Sequence, residues 1–243
     1  MAESETRMDT SGETPTRLPS GRQDLPPDLV VRSQRDRLMS GMAEAVAASG
    51  YPQVTVEEIC SRAGVPTAIF YELFRDKEDC LAASAETLLG EVVTIVTGQY
   101  SPDKAIRYVI RDAIAAVLAL MAQRPAFANL IFVDGRYLTP ASRQAYTSGV
   151  TLLLSLLDQV RVEADPNLES PRSAARAAVG AIEMLIRSEI LAGRTEQLPG
   201  ILPQATYAAL VSFLGREQAQ AMADEAAANP PRIELTPFGR AHL

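Results

Sequence analysis

Residues 55–77 read TVEEICSRAGVPTAIFYELFRDK. Thr55 caps a helix through its hydroxyl, and Glu58, three residues on, completes a capping box. Val56, Ile59, Cys60 and Ala63 then fall on one apolar stripe. Gly64 suits the left-handed backbone of a sharp turn. Pro66 fits at or just before the first turn of the next helix. Phe70 and Phe74 lie one turn apart and face the preceding helices. Asp76 supplies another N-cap, with Lys77, Glu78 and Asp79 in the first turn. Two short helices around a glycine turn, with a further helix capped directly after them, is the layout of a DNA-reading helix-turn-helix.

Upstream, a helix is expected from about Val31 to Ser49, with Leu38, Met42, Ala45 and Val46 on its apolar face. Gly50 stops it, and Pro52 follows where a helix cannot continue. Downstream, the helix opened by Asp76 runs to about Gly98. Ser101-Pro102-Asp103 reads as the next start, followed by helical apolar spacing up to Arg124. Pro125 begins a shorter segment ending near Gly135, and Thr139-Pro140 begins another that ends at Asp165-Pro166. Ser170-Pro171 opens a helix rich in small residues that closes at Gly193. Pro203 starts the last apolar helix, through Leu214, and residues 216–228 form a weakly apolar helical segment. The fold class is therefore all-α: an N-terminal three-helix helix-turn-helix domain and a larger C-terminal helical domain. The expected division is a disordered tail over 1–29, the helix-turn-helix domain over 30–80, the C-terminal domain over 81–228 and a tail over 229–243.

Composition narrows the function. Cys60 and Cys80 are the only cysteines and His242 the only histidine. A structural zinc site usually takes four Cys or His ligands, so no metal site is expected. A histidine-dependent triad is not expected either, because the one histidine lies at the extreme C-terminus; no paired carboxylate motif appears, and neither catalysis nor a cofactor is expected. Residues 1–29 lack the apolar core of a secretory signal, and no run approaches the ~18 apolar residues of a membrane span. A cytoplasmic protein with no membrane partner is the expectation. The net charge of −7 is unusual for a DNA binder, and residues 30–80 carry six Arg/Lys against eight Asp/Glu. Sequence-independent attraction to DNA is then weak, and binding relies on a few well-placed contacts and on a dimer.

A reading helix enters the major groove with small or polar N-terminal residues toward the base edges. Thr67 can bond a base or phosphate, Ala68 and Ile69 can touch a thymine methyl, and Tyr71 can donate its hydroxyl to a phosphate. Lys77 lies at a helix start, where free N–H groups also attract phosphate. The longer string TVEEICSRAGVPTAIFYELFRDKEDC resembles the signature of the TetR family of transcriptional regulators. The shared elements are the Thr-x-x-x-Ile start, the Ala-Gly-Val turn, the Phe-Tyr-x-x-Phe run and the following Lys-Glu, within residues 35–88.

The resemblance implies a homodimer on a palindromic double-stranded DNA operator. It also implies a C-terminal helical domain that dimerises and often holds a small-molecule effector, with repression as the usual mode. The family's DNA contacts carry over onto Thr55, Thr67, Ala68, Ile69, Tyr71, Leu73 and Lys77. Two residues depart from the pattern: Leu73 stands where the family often has His, and Glu72 is acidic where the helix approaches phosphates. A helical protein-interaction module with a degenerate DNA-binding domain is the alternative.

The helices at 171–192 and 203–214 are the expected dimer bundle, since the small residues at 174–181 permit close approach. A mostly apolar effector pocket with a few polar groups is expected from Tyr108, Arg111, Met121, Phe127, Phe132, Tyr137, Tyr146, Glu183, Met184 and Arg187.

Overall fold

A computed structural model describes residues 26–134, 140–164 and 172–233. Tyr137, the first 25 residues and the last ten lie outside the described residues. Among those described the chain is all-α, with no strand.

Helix α1 (Pro27–Ser49) begins four residues before the expected Val31, because Pro27 at the first turn presets the backbone and Asp28 favours the positive end of the dipole. It ends at Gly50, whose φ of 75° is the left-handed region that glycine tolerates. Helix α2 (Val56–Ala63) is capped by Thr55, whose Oγ1 accepts from the Glu58 amide at 3.2 Å. The reciprocal half of the capping box is not formed: the Glu58 carboxylate turns instead to Arg62, at 3.0 Å. Gly64 takes φ 60°, ψ 38°, and Pro66 leads into α3 (Thr67–Leu73).

Asp76 caps α4 (Lys77–Gly98) by accepting from the Asp79 amide at 2.8 Å. Helix α5 (Ile106–Gln123) starts later than Ser101-Pro102-Asp103 suggests. Residues 102–104 form a turn, and extended Ala105 is the cap residue. Helices α6 (Pro125–Phe132), α7 (Pro140–Ala164) and α8 (Arg172–Leu191) follow, the first two opening on the expected prolines, while Gly135, Asp165-Pro166 and Ser170-Pro171 lie outside the described residues. A 3₁₀ segment (Thr195–Ile201) feeds α9 (Leu202–Ala228), which breaks at Gly215 (φ 78°, ψ 171°).

The N-terminal unit is held by α1. Leu38, Met42, Ile59 and Phe70 are completely or almost completely buried and form its centre. Helices α1 and α2 approach so closely that a Cβ on Gly41 would lie 2.7 Å from the Ile59 carbonyl oxygen. Arg37 donates to the carbonyls of Ala63, at 2.8 Å from Nε, and of Gly64, so α1 also ties down the turn. Ser84 on α4 donates to the Met39 carbonyl at 3.3 Å, so the first turns of α4 belong to the same packing. Helix α1 also packs against α6, which joins the reading unit to the C-terminal helices.

In the C-terminal part, α5 lies among α4, α7 and α9. Asp112 is buried and holds both Lys104 and Arg111, while Arg111 reaches Glu225 at 3.1 Å. That chain of charges pins the second arm of α9 to α5. Ala219, Met222, Ala223 and Ala226 bury the arm's small apolar face, which explains how a weakly apolar segment is helical. Contrary to the sequence expectation, α4 and the stretch 195–228 are long and apolar enough to cross a membrane by length and composition alone. In this fold both serve as packing helices, α4 against α1, α5 and α7, and α9 against α5, α7 and α8.

Candidate functional site

The exposed side of α3 is a narrow stripe. Ala68, Tyr71 and Glu72, at i, i+3 and i+4, point to solvent, with Tyr71 58% exposed. Phe70 and Phe74 point inward, their ring centroids 5.6 Å apart. Thr67, Ile69 and Leu73 flank the stripe and are half-buried, and Ile69 and Leu73 rest against the core. Thr55 is exposed, and its capping bond uses an acceptor lone pair, so its O–H proton is still available as a donor. Arg35 on α1 closes the far end of α3, donating to the Leu73 carbonyl at 3.2 Å with its guanidinium 4.5 Å from the Phe74 ring centroid.

Lys77 has another occupation. Its ammonium donates to the Val54 carbonyl at 2.9 Å and lies 4.8 Å from the Tyr51 ring centroid. The side chain therefore clamps the α1–α2 connection to the start of α4. What the α4 terminus presents outward is backbone N–H rather than the ammonium. Burial first, then Glu78 and Asp76, pushes the Tyr51 phenol up to about 12, so the ring under the ammonium is neutral. Two exposed cations border the stripe: Arg62 at the end of α2, paired with Glu58, and Arg75 just past α3, 83% exposed and 3.3 Å from Asp79.

A second feature lies in the C-terminal part. Helices α4, α5, α7 and α8 and the end of α6 enclose a cavity of about 780 Å³, counting its open mouth. Val92, Val96, Val117, Val150, Leu153 and Ile182 are typical of its walls. Among the residues lining it, the polar side chains are those of Tyr146 and Glu183, and the Tyr146 hydroxyl donates to the Glu183 carboxylate. Burial and that bond both hold the phenol well above its ordinary pKa, so it stays a neutral donor. The same two residues and Phe132 also wall an adjoining, more polar chamber, completed by Ile131, Val133, Gly180, Met184 and Arg187. There Arg187 donates to the Phe132 carbonyl at 3.1 Å.

The profile of the bacterial regulatory proteins of the tetR family matches residues 39–84, which span the second half of α1 through the first turns of α4. Residues 39–84 of the N-terminal unit thus carry the TetR-type sequence pattern. Solved structures extend the likeness of fold to most of the chain. The fatty acid degradation regulator FadR from Bacillus halodurans is 17% identical, with 77% of this chain and 97% of that one covered at a TM-score of 0.66. FadR from Bacillus subtilis, solved with stearoyl-CoA, is 18% identical over 74% of this chain and 97% of that one, TM-score 0.61. A TetR family regulator from Marinobacter aquaeolei is 20% identical over 73% and 97%, TM-score 0.57. No curated protein sequence matches the chain.

Against this TetR-type frame, the expected pocket residues divide. Phe132, Tyr146 and Glu183 line both chambers, and Met184 and Arg187 line the polar one. The other described candidates are placed elsewhere, which corrects the expectation. Arg111 is consumed by Asp112 and Glu225, and Tyr108 lies beneath the guanidinia of Arg107 and Arg111. Met121 and Phe127 are buried in the core away from the cavity lining. Aromatic and cationic residues drew attention in the sequence, whereas the cavity is walled by aliphatic residues of α4, α7 and α8 that a sequence does not separate from core. Gly41 and Arg37 carry no signal in the sequence, since their value depends on a close helix approach and on a turn brought near by folding. Arg75 carried a signal, a basic residue immediately after the reading helix in an acidic domain.

Proposed function

We propose that this chain is a ligand-responsive transcriptional repressor that binds a palindromic operator in the cytoplasm as a homodimer. The observation that carries the reading is the coupling of two features in one fold. A small exposed stripe on α3 stands in a TetR-family unit, and an apolar cavity shares α6 with the helix that holds that unit, since α6 lines the cavity through Phe132 and packs on α1.

On this reading Ala68 and Ile69 approach base edges, while Thr55, Thr67 and Tyr71 donate to bases or phosphates. Leu73 supports the flank of α3 and supplies at most an apolar edge contact. At Lys77 the phosphate-facing group is the backbone N–H, and Arg75 adds a phosphate contact beyond the sequence expectation. Dimerisation uses α8 and α9, where Ala177, Gly180 and Ala181 are exposed and Met184 and Leu191 are 64% and 63% exposed. Two α3 helices must then sit roughly 34–36 Å apart to meet successive major grooves. An apolar effector that favours another spacing releases the operator by shifting the population.

The effector is expected to bring an extended apolar body into the aliphatic cavity, in keeping with the stearoyl-CoA complex of FadR from Bacillus subtilis. The test is fluorescence anisotropy with labelled inverted repeats drawn from DNA adjoining the gene. Retention that weakens steeply with salt supports the reading. No retention even at low salt overturns it and leaves the helical interaction module.

A further inference from the structure

The polar groups of the cavity constrain the head of whatever enters it. An apolar chamber and a polar chamber share a wall made by Phe132, Tyr146 and Glu183. Within the apolar chamber the one carboxylate is Glu183, and its described partner is the Tyr146 hydroxyl on the facing helix α7. An ionised carboxylate is acceptor-only, so whatever satisfies it must donate. A ligand head that reaches the shared wall meets these two side chains. On arrival it separates them, and the Glu183 carboxylate, half-buried, then has to be satisfied by the newcomer.

We infer that the effector is an apolar molecule carrying a hydrogen-bond donor, a hydroxyl or an amine, that displaces Tyr146 from Glu183, and that the pair discriminates against a free carboxylate head. The inference rests on the proposed effector role of this cavity and specifies its chemistry. Two features support donor selection. The neutral phenol held there already shows the kind of group the carboxylate accepts, since burial and Glu183 keep it protonated far above neutral pH. A carboxylate head brought beside Glu183 would set two like charges together in an apolar wall. Arg187, the cation of the polar chamber, is bonded to the Phe132 carbonyl across from α8, and no ion pair joins it to Glu183 among the described residues. Among the described residues no cation lines the apolar chamber, so an acid head seated there meets no counter-charge.

The experiment uses the full chain and three probes of equal length, 1-decanol, decylamine and decanoate, with affinities measured by calorimetry and thermal shift. Wild-type protein should bind decanol and decylamine about tenfold or more tighter than decanoate. Glu183→Gln, which keeps shape but can itself donate, should remove that preference and let decanoate bind as well as the alcohol. Tyr146→Phe should keep the preference and tighten decanol, because the competing internal donor is gone. Circular dichroism of both variants confirms the helical fold. Binding of all three probes with decanoate preferred, or an unchanged ranking in Glu183→Gln, overturns the donor inference and leaves the apolar effector site standing. Failure of every probe to bind, or binding that Val150→Trp in the cavity wall leaves unchanged, overturns the effector site and the inference with it.

Discussion

Arg37 of α1 donates from Nε to the carbonyl oxygen of Ala63, the last residue of α2, at 2.8 Å, and its Nη2 bonds the Gly64 carbonyl beside it. These are carbonyls that the end of a helix leaves without intrahelical partners. A cation there also complements the negative end of the α2 dipole. The turn between α2 and α3 therefore owes its geometry to a residue well upstream. Arg37→Met keeps much of the stem packing and removes the donors. It should cost about 1–2 kcal/mol, read as a lower urea midpoint at unchanged m-value.

Gly41 makes a sharper case. A Cβ there would lie 2.7 Å from the Ile59 carbonyl oxygen and 3.1 Å from the Ala63 nitrogen, both backbone atoms that cannot step aside. In an isolated helix Gly→Ala is stabilising. Here Gly41→Ala should destabilise by about 1–3 kcal/mol through overpacking, lowering Tm by several degrees. An unchanged or raised Tm would mean that α1 and α2 do not approach so closely.

How much of this was readable beforehand follows from the kind of force at each position. Thr55, Gly64 and Asp76 act within a few residues of themselves, so their roles as caps and turn were visible in sequence. Pro125 and Pro140 marked the starts of α6 and α7 for the same reason. Positions whose meaning is tertiary were hidden. Lys77 looks like a free cation at a helix start until Tyr51 and Val54 are brought beneath it. Arg111 looks like a pocket residue until α9 turns at Gly215 and presents Glu225. Val92, Val150 and Ile182 differ from core residues only in that the helices around them leave space.

That difference between Tyr71 and Lys77 separates two kinds of mutational loss. The Tyr71 ring is largely exposed, so Tyr71→Phe should leave Tm within about 1 °C of wild type. If its hydroxyl meets a phosphate, operator affinity falls by about 1 kcal/mol per protomer, roughly fivefold for each half-site. Lys77→Ala removes a clamp within the folded unit, so Tm falls as well as affinity. Anisotropy and thermal melts on the two variants distinguish these patterns. An affinity loss in Lys77→Ala with no change in Tm would return the ammonium to the DNA.

Cys80 offers a chemical check on the packing of α4 against α1. Burial pushes its thiol up to about 12, although Ser84 pulls in the other direction. The thiolate is the reactive form, and in the folded state it is scarcely populated at pH 8. Native protein should therefore resist iodoacetamide at Cys80, and urea should expose it to rapid alkylation. The linkage has one sign: a folded pKa above the unfolded one leaves stability intact below about 9 and erodes it as pH rises from there toward 12. Mass spectrometry of peptides after pulse labelling reads the site directly, and fast native labelling would contradict its burial.

Arg124 and Glu91 join the end of α5 to the middle of α4, with side chains 13% and 20% exposed. Burial raises the Glu91 carboxyl above its ordinary value, while Arg124 pulls it down. Arg124→Met retains apolar bulk and strips the carboxylate of its guanidinium. Leaving a mostly buried charge without this partner should cost about 2 kcal/mol at pH 7. The pH dependence identifies the cause. Without Arg124 the folded pKa of Glu91 rises further, so its contribution is least unfavourable below the unfolded value and worsens as pH climbs through the folded one. The deficit of the variant relative to wild type should therefore shrink as pH falls from 7 to 5, because Glu91 takes up a proton and needs no counter-charge. Urea melts of both proteins at the two pH values measure that difference. A deficit independent of pH would assign the effect to packing of the arginine stem instead of to its charge.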